Sequence, residues 1–127
     1  MPEITLEPFA AEVVFYLKSD SKNDDYRLIL ADFLETIAAR CEEAGADLIG
    51  HIKGLVLGED KSYLKISVIS ASLPANIEGT LNPATNKITL NLNVIVYGLI
   101  SNVLDKIVRE TAAEFEREHF ESTIHLK

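Results

Sequence analysis

The sequence is first informative for what it lacks. Among its 127 residues there is one cysteine, Cys41, and no tryptophan. A single cysteine cannot form a disulfide within the chain, which favours a reducing compartment, and we expect a cytoplasmic protein. We also expect Cys41 to pack in the core as a small hydrophobic side chain rather than to act as a nucleophile.

Long apolar runs and a basic leader are missing as well. No apolar stretch approaches the roughly 18 residues that a bilayer-spanning helix needs, so we predict no membrane partner. The first residues, Met1 to Thr5, carry no basic side chain, which predicts that there is no signal peptide.

Positive charge is scarce, because 20 acidic residues outnumber 12 basic ones and the net charge is −8. An acidic chain lacks the cations that displace counterions from phosphates, so we expect no nucleic-acid partner. The imbalance is uneven: residues 1–47 carry −7, residues 48–100 carry +1 and residues 101–127 carry −2. The middle of the chain is therefore the only part that is not acidic.

Motifs for catalysis and metal binding are absent too. Gly50 and Gly54 are four residues apart, but a phosphate-binding loop needs GxxxxGK[ST] between a strand and a helix. We interpret these glycines as room for a bulky side chain from a facing helix, with a bulge or a close backbone approach as the alternative. No HExxH, CxxC, EF-hand loop or GxSxG occurs. We predict no metal and no cofactor, and we assign no catalytic residue.

The chain does contain clear hydrophobic periodicity. Apolar side chains recur every three or four residues over residues 25–44 and 99–119, which predicts two long helices. Alternation with period two predicts strands. These cover residues 48–57, 62–72, 76–81, 87–97 and 122–126.

Residues 8–18 fit two structures. We favour a helix that begins at Pro8, because Ala10, Ala11 and Glu12 support a helix. The alternative is a strand over residues 12–17. With the helix, the sequence predicts one α+β domain over residues 1–127, in the order α-α-β-β-β-β-α-β. Its helices pack in two-layer fashion on one face of a mainly antiparallel four- or five-stranded sheet.

The even positions of the predicted strands are apolar and should face the helices, which leaves the odd positions on the other face. That face mixes polar and apolar side chains, and no second layer is available to cover it. The polar members are His51, Lys53, Tyr63, Lys65, Ser67, Thr89, Asn91 and Asn93, joined by His125 and Lys127 if the last strand continues the pattern. The apolar members are Ile49, Leu55, Leu57, Ile69, Ile95 and Tyr97.

This mixture supports two hypotheses beside a plainly solvated sheet face. The first is a non-enzymatic interaction or assembly module, a homo-oligomer or a subunit of a larger complex. It would bind its protein partner through Ile49, Leu55, Leu57, Ile69 and Ile95.

The alternative hypothesis is a small-molecule site, in a binding protein or an enzyme. Lys53, Lys65 and Asn91 would hold an anionic ligand. His51 would transfer a proton, because the reference pKa of a histidine lies nearest neutrality.

Overall fold

The computed structural model describes residues 6–18 and 25–126, with the side chains of residues 121–126 outside that description. Two helices cover one face of a six-stranded antiparallel sheet. In chain order the elements are β1 Phe9–Leu17, α1 Tyr26–Glu43, β2 Leu48–Leu57, β3 Tyr63–Val68, β4 Asn76–Thr80, β5 Lys87–Tyr97, α2 Ser101–His119 and β6 Phe120–Leu126. The predicted two-layer α+β architecture is confirmed, with six strands rather than four or five. No helix in the described residues is long and apolar enough to cross a membrane.

The first element is the strand β1, so the helix that we favoured over residues 8–18 was wrong. Val13 and Phe15 are fully buried, whereas Glu12, Val14 and Tyr16 alternate with them and are only half-buried. Pairing with β5 on one side and β6 on the other satisfies the backbone of β1. Alanine has a high intrinsic helix propensity, but propensity is a weak determinant of structure and this tertiary pairing outweighs it. The element order therefore begins β-α rather than α-α.

The sheet has the strand order β4-β3-β2-β5-β1-β6. β2, β3 and β4 follow one another as neighbours, and β5 then returns to pair with β2. β1 lies between β5 and β6, so the two ends of the chain meet in adjacent strands. The order places β2 and β5 at the centre of the sheet, and the line between them is called the central seam below.

The two helices are capped in different ways. In α1, the side chain of Asp25 accepts hydrogen bonds from the backbone N–H groups of Arg27 and Leu28, at 3.1 and 3.4 Å. In α2, the cap comes from outside the helix. The carboxylate of Glu7 accepts from the backbone N–H and the hydroxyl of Ser101, at 2.9 and 2.6 Å. These hydrogen bonds from Ser101 lower the pKa of Glu7.

An aromatic cluster ties the two layers together. The ring of Phe15 on β1 stacks on Phe120 at 4.2 Å between centroids and meets Phe33 of α1 edge-on at 5.8 Å. Phe33 in turn contacts Phe115 of α2 at 5.2 Å. Because each ring belongs to a different element, the cluster fixes both helices over the same end of the sheet.

The helices also share a polar contact. Arg40 of α1 donates to the hydroxyl of Thr111 at 2.9 Å and forms an ion pair with Glu114 on α2. Thr111 is fully buried and donates its own proton to the carbonyl of Ile107 at 2.6 Å. Both hydrogen-bonding capacities of this buried hydroxyl are thereby used, as burial requires.

Cys41 packs in the core, as we expected. It is fully buried on α1 among the other side chains that face the sheet. Burial raises the pKa of its thiol to about 11, because the charged thiolate would be poorly solvated there. The thiol is therefore protonated at neutral pH and is not an activated nucleophile.

Candidate partner-binding face

One face of the sheet is buried under α1 and α2, and no described element covers the other. This second face, called the open face, consists of alternate residues of β4, β3, β2, β5 and β1. Antiparallel pairing fixes which of these residues lie side by side, because residues in register share a face.

The register arranges the open face in rows that cross the strands. The central row contains Glu78, Lys65, Leu55, Asn91 and Glu12, in the order β4 to β1. On one side of it lies the row Asn76, Ser67, Lys53, Asn93 and Ala10. On the other side lies the row Thr80, Tyr63, Leu57, Thr89 and Val14.

A shallow depression of about 420 Å³ lies over the first two of these rows. Lys53, Lys65 and Asn91 of the predicted ligand set line it, and His51 does not. His51 is half-buried further along β2, where it is in register with Ile95. The structure thus brings together three of the four predicted residues and separates the proposed proton-transfer group from them. The other polar side chains of the lining are Ser67, Asn76, Glu78 and Asn93.

None of the polar side chains that line the depression has a hydrogen bond or ion pair within the described part of the chain. The ammonium of Lys65 lies over the ring of Tyr63, 5.9 Å from its centroid.

The β2–β3 turn behaves differently. Asp60 accepts hydrogen bonds from the hydroxyl and N–H of Ser62 and from the side chain of Asn82, and these lower its pKa to about 2. Polar groups in this turn satisfy one another, whereas those that line the depression have no hydrogen bond or ion pair in the described residues.

A β-bulge at Gly50 changes the face on which two predicted residues lie. Ile49 is in register with Val96 and His51 with Ile95, so Gly50 is the extra residue. Val96 is fully buried, and Ile49 beside it packs against the core. Ile49 is therefore not on the open face, where we expected it, and this one-residue shift removes it from the predicted apolar set.

The same bulge exposes Leu48. We expected Leu48 to face the helices, but it is in register with Tyr97 and 61% exposed. The alternation that predicted the position of Leu48 holds from His51 to Leu57 and is inverted on the N-terminal side of the bulge.

The two glycines of β2 have different roles. A Cβ at Gly54 would lie 2.8 Å from Leu90 and 3.3 Å from Leu34, so this glycine makes room for a leucine of the facing helix, as we predicted. A Cβ at Gly50 would lie 2.9 Å from the carbonyl oxygen of Ile95. Gly50 therefore corresponds to the alternative interpretation, a bulge with a close backbone approach.

Three of the five predicted interface residues lie on the open side of the sheet, namely Leu55, Leu57 and Ile95. Leu55 and Leu57 are 37% and 38% exposed at its centre, next to Tyr63 at 45%, and Ile95 is half-buried. Ile69 follows β3 directly, is 63% exposed and lines a separate depression with Glu42 and Ala46 near the end of α1. The side chain of His125 and the whole of Lys127 lie outside the described part of the structure.

Sequence reasoning missed the charged and polar members of the open face that lie on β1 and β4. Glu12 was missed because a helix is predicted for residues 8–18, although Val13 and Phe15 already alternate with polar or smaller side chains. Asn76, Glu78 and Thr80 were missed because the pairing of β4 with β3 cannot be derived from alternation within either strand.

Comparison with protein-family models, with curated proteins and with solved structures finds no match to this chain. Function therefore has to be argued from the site itself. Within residues 6–18 and 25–126, no three histidine, cysteine, aspartate or glutamate side chains gather in a way that could hold a metal ion.

Proposed function

We propose that this chain is a non-enzymatic assembly module that associates through its open face, as a homo-oligomer or as a subunit of a larger complex. The observation that carries the proposal is the group of exposed apolar side chains at the centre of that face. Leu55, Leu57 and Tyr63 lie where no described element covers them. Burying such side chains against a partner gains about 25 cal/mol per Å² of apolar surface.

The distribution of charge supports the same surface. Two acidic proteins repel each other, and this chain carries −8. The three central rows of the open face hold two lysines, Lys53 and Lys65, and two glutamates, Glu12 and Glu78. Association through these balanced rows brings less repulsion than association through the acidic helices.

Light scattering on a size-exclusion column tests this proposal, with Leu55→Glu as the test variant. We expect the wild type to be an oligomer and Leu55→Glu to be monomeric, because the new carboxylate would be desolvated at the interface. Leu28→Glu is the matched control, since Leu28 is 60% exposed on α1 and far from the open face. A wild type that is monomeric at high concentration, or equal loss of association in both variants, would contradict self-association through this face.

A second candidate function is the binding of a small anion in the depression. The specific observation in its favour is the set of polar side chains there, including Lys53 and Lys65, that lack partners in the described residues. Thermal-shift measurements with inorganic phosphate and with a short dicarboxylate test it. Stabilisation that Lys65→Met abolishes and His51→Ala leaves intact would support an anion site. No shift with either probe would oppose it.

A further inference from the structure

The central row of the open face has a symmetry that suggests its partner. Lys65 lies on β3 and Glu12 on β1, each one strand beyond the two strands that form the central seam. They share a row, because Lys65 is in register with Leu55, Leu55 with Asn91 and Asn91 with Glu12. Two opposite charges therefore lie at equal distances on either side of the central seam.

We propose that the partner is a second copy of this chain, stacked face to face about a two-fold axis that runs along the central seam. This inference rests on the proposed function and specifies it. Such an axis places β3 over the partner's β1 and β2 over the partner's β5. Each Lys65 then faces the partner's Glu12, and the contact occurs twice, as a closed two-fold interface requires.

Lys65 and Glu12 cannot reach each other within one copy. The two residues are three strand spacings apart, or about 14 Å. Glu78 lies next to Lys65 on β4, but the two side chains form no ion pair in the structure. Neither forms an ion pair in the described part of the chain. Stacked sheets lie about 10 Å apart, a gap that a lysine and a glutamate bridge by extending toward each other.

The neighbouring rows are compatible with the same axis. Tyr63 faces the partner's Val14, so an aromatic ring meets a half-buried aliphatic side chain. Lys53 faces the partner's Asn93, and Leu57 faces the partner's Thr89. Among β3, β2, β5 and β1, the pairing thus brings no two like charges together in these three rows.

A two-fold axis that crosses the strands is less favourable. Centred on the middle row, it would place Lys65 over the partner's Lys65 and Glu12 over the partner's Glu12, which is repulsive. Moved by half a row, it would place Lys65 over the partner's Ser67 or Tyr63 and would pair no opposite charges. Of the two-fold axes that keep the two sheets fully overlapped, the axis along the seam is the one that pairs Lys65 with Glu12. An axis between β3 and β4 would pair Lys65 with Glu78, but it would leave most of each open face uncovered.

The size of the open face also suits a second copy. Six strands span about 29 Å at the usual spacing, and the open-face residues of β5 from Lys87 to Ile95 extend about 27 Å. The face therefore presents on the order of 800 Å² per copy, which is the standard size for a specific interface. Leu55 and Leu57 of each copy lie next to the axis, one strand away from the same residues of the partner, at the centre of the interface where water is best excluded.

Exchanging the two charges tests the axis. Lys65→Glu alone and Glu12→Lys alone should each weaken the dimer about tenfold, because each replaces two attractive contacts by two repulsive ones. An equimolar mixture of the two variants should form a heterodimer as tight as the wild type. In that heterodimer both cross-copy contacts again join a lysine to a glutamate.

The matched control is a mixture of Lys65→Glu with Glu78→Lys. It has the same total charge, but Glu78 lies on β4, beside Lys65 in its own copy. We expect no tight heterodimer in this mixture, because only one of its two cross-copy contacts joins opposite charges. Glu78→Lys keeps Lys65 and Glu12 and should form its own homodimer, so that variant is also measured alone. Sedimentation equilibrium measures each dissociation constant, and circular dichroism checks that every variant is folded.

The possible outcomes separate this inference from the proposed function. A wild-type dimer that Leu55→Glu dissociates, without recovery in the Lys65→Glu and Glu12→Lys mixture, would overturn the two-fold axis and leave assembly through the open face standing. A monomeric wild type would overturn both. Equal recovery in the control mixture would also overturn the axis, because a general charge effect would then explain the result.

Discussion

The two faces of the sheet come from the same strands and differ in what covers them. On the face under the helices, Val13, Ile52, Leu64, Leu90 and Val94 are almost completely buried and apolar. On the open face, leucines alternate across the rows with lysines, asparagines and glutamates. The alternation of apolar residues along the strands therefore identifies the face that is buried in the core. The mixed composition of the open face shows that the helices of the same chain do not cover it.

The largest expected difference between the faces concerns leucine. Leu34→Ala should lower the free energy of unfolding by about 3–5 kcal/mol, because Leu34 is fully buried against the sheet and its removal leaves a cavity. Leu57→Ala should lower it by less than about 1 kcal/mol, because Leu57 is already partly in water.

Urea denaturation followed by circular dichroism measures both values. The protein should be at micromolar concentration, so that association adds little to stability. A similar decrease in the free energy of unfolding in the two variants would mean that the open face is covered in the monomer, and the two faces would then not differ in burial.

The two glycines of β2 compare a rigid backbone neighbour, at Gly50, with flexible side-chain neighbours, at Gly54. Gly50→Ala should lower the free energy of unfolding by about 2–3 kcal/mol, because the new methyl group meets the backbone oxygen of Ile95. Gly54→Ala should lower it by about 1–2 kcal/mol, because the nearest atoms are the ends of the Leu90 and Leu34 side chains, which can rotate. Chemical denaturation ranks the two. The reverse order would show that the core resists overpacking more than the bulge does.

The smallest expected effect concerns the polar turn beside the open face. Hydrogen bonds lower the pKa of Asp60 to about 2 from its usual 3.8. In the unfolded chain the carboxyl group takes up its proton near pH 3.8, whereas in the folded chain it does so near pH 2. Its contribution to stability is therefore complete above pH 3.8 and is lost as the pH falls toward 2.

We expect Asp60→Ala to flatten the decline in unfolding free energy between pH 4 and pH 2, measured by denaturation at several pH values. Asp60→Asn separates the two contributions, because it keeps a hydrogen-bond acceptor and cannot ionise. It should show the same flattened slope with a smaller loss at neutral pH. If both variants lost unfolding free energy between pH 4 and pH 2 as steeply as the wild type, other carboxyl groups would account for the acid destabilisation.

Most of the fold could be predicted from the sequence where the periodicity was long. Alternation over β5 and the apolar stripes of α1 and α2 identified those elements correctly, because each buries one face along its whole length. The prediction was wrong for β1, where the intrinsic propensity of the residues and their tertiary contacts favour different structures. The alanines of β1 favour a helix in isolation, and only pairing with β5 and β6 makes that segment a strand.

The candidate site was harder to predict than the fold. The odd positions of the predicted strands placed Lys53, Leu55, Lys65 and Asn91 on one face, and the structure confirms that these side chains lie together. Odd and even positions could not place Glu12 or Glu78 beside them, because their position depends on which strands are neighbours in the sheet. It also placed Ile49 on the wrong face, because one extra residue at Gly50 inverts the alternation without leaving a pattern of its own.

The sequence by itself determined a two-layer α+β fold, an uneven charge with acidic segments before and after residues 48–100, and a buried cysteine. These properties follow from composition and short-range periodicity, which act within one element. Only the tertiary structure decided that Lys65 and Glu12 share a row on opposite sides of the central seam. That arrangement depends on pairing between strands far apart in the chain, and the physical reason is that backbone hydrogen bonds set the register whatever the distance along the sequence.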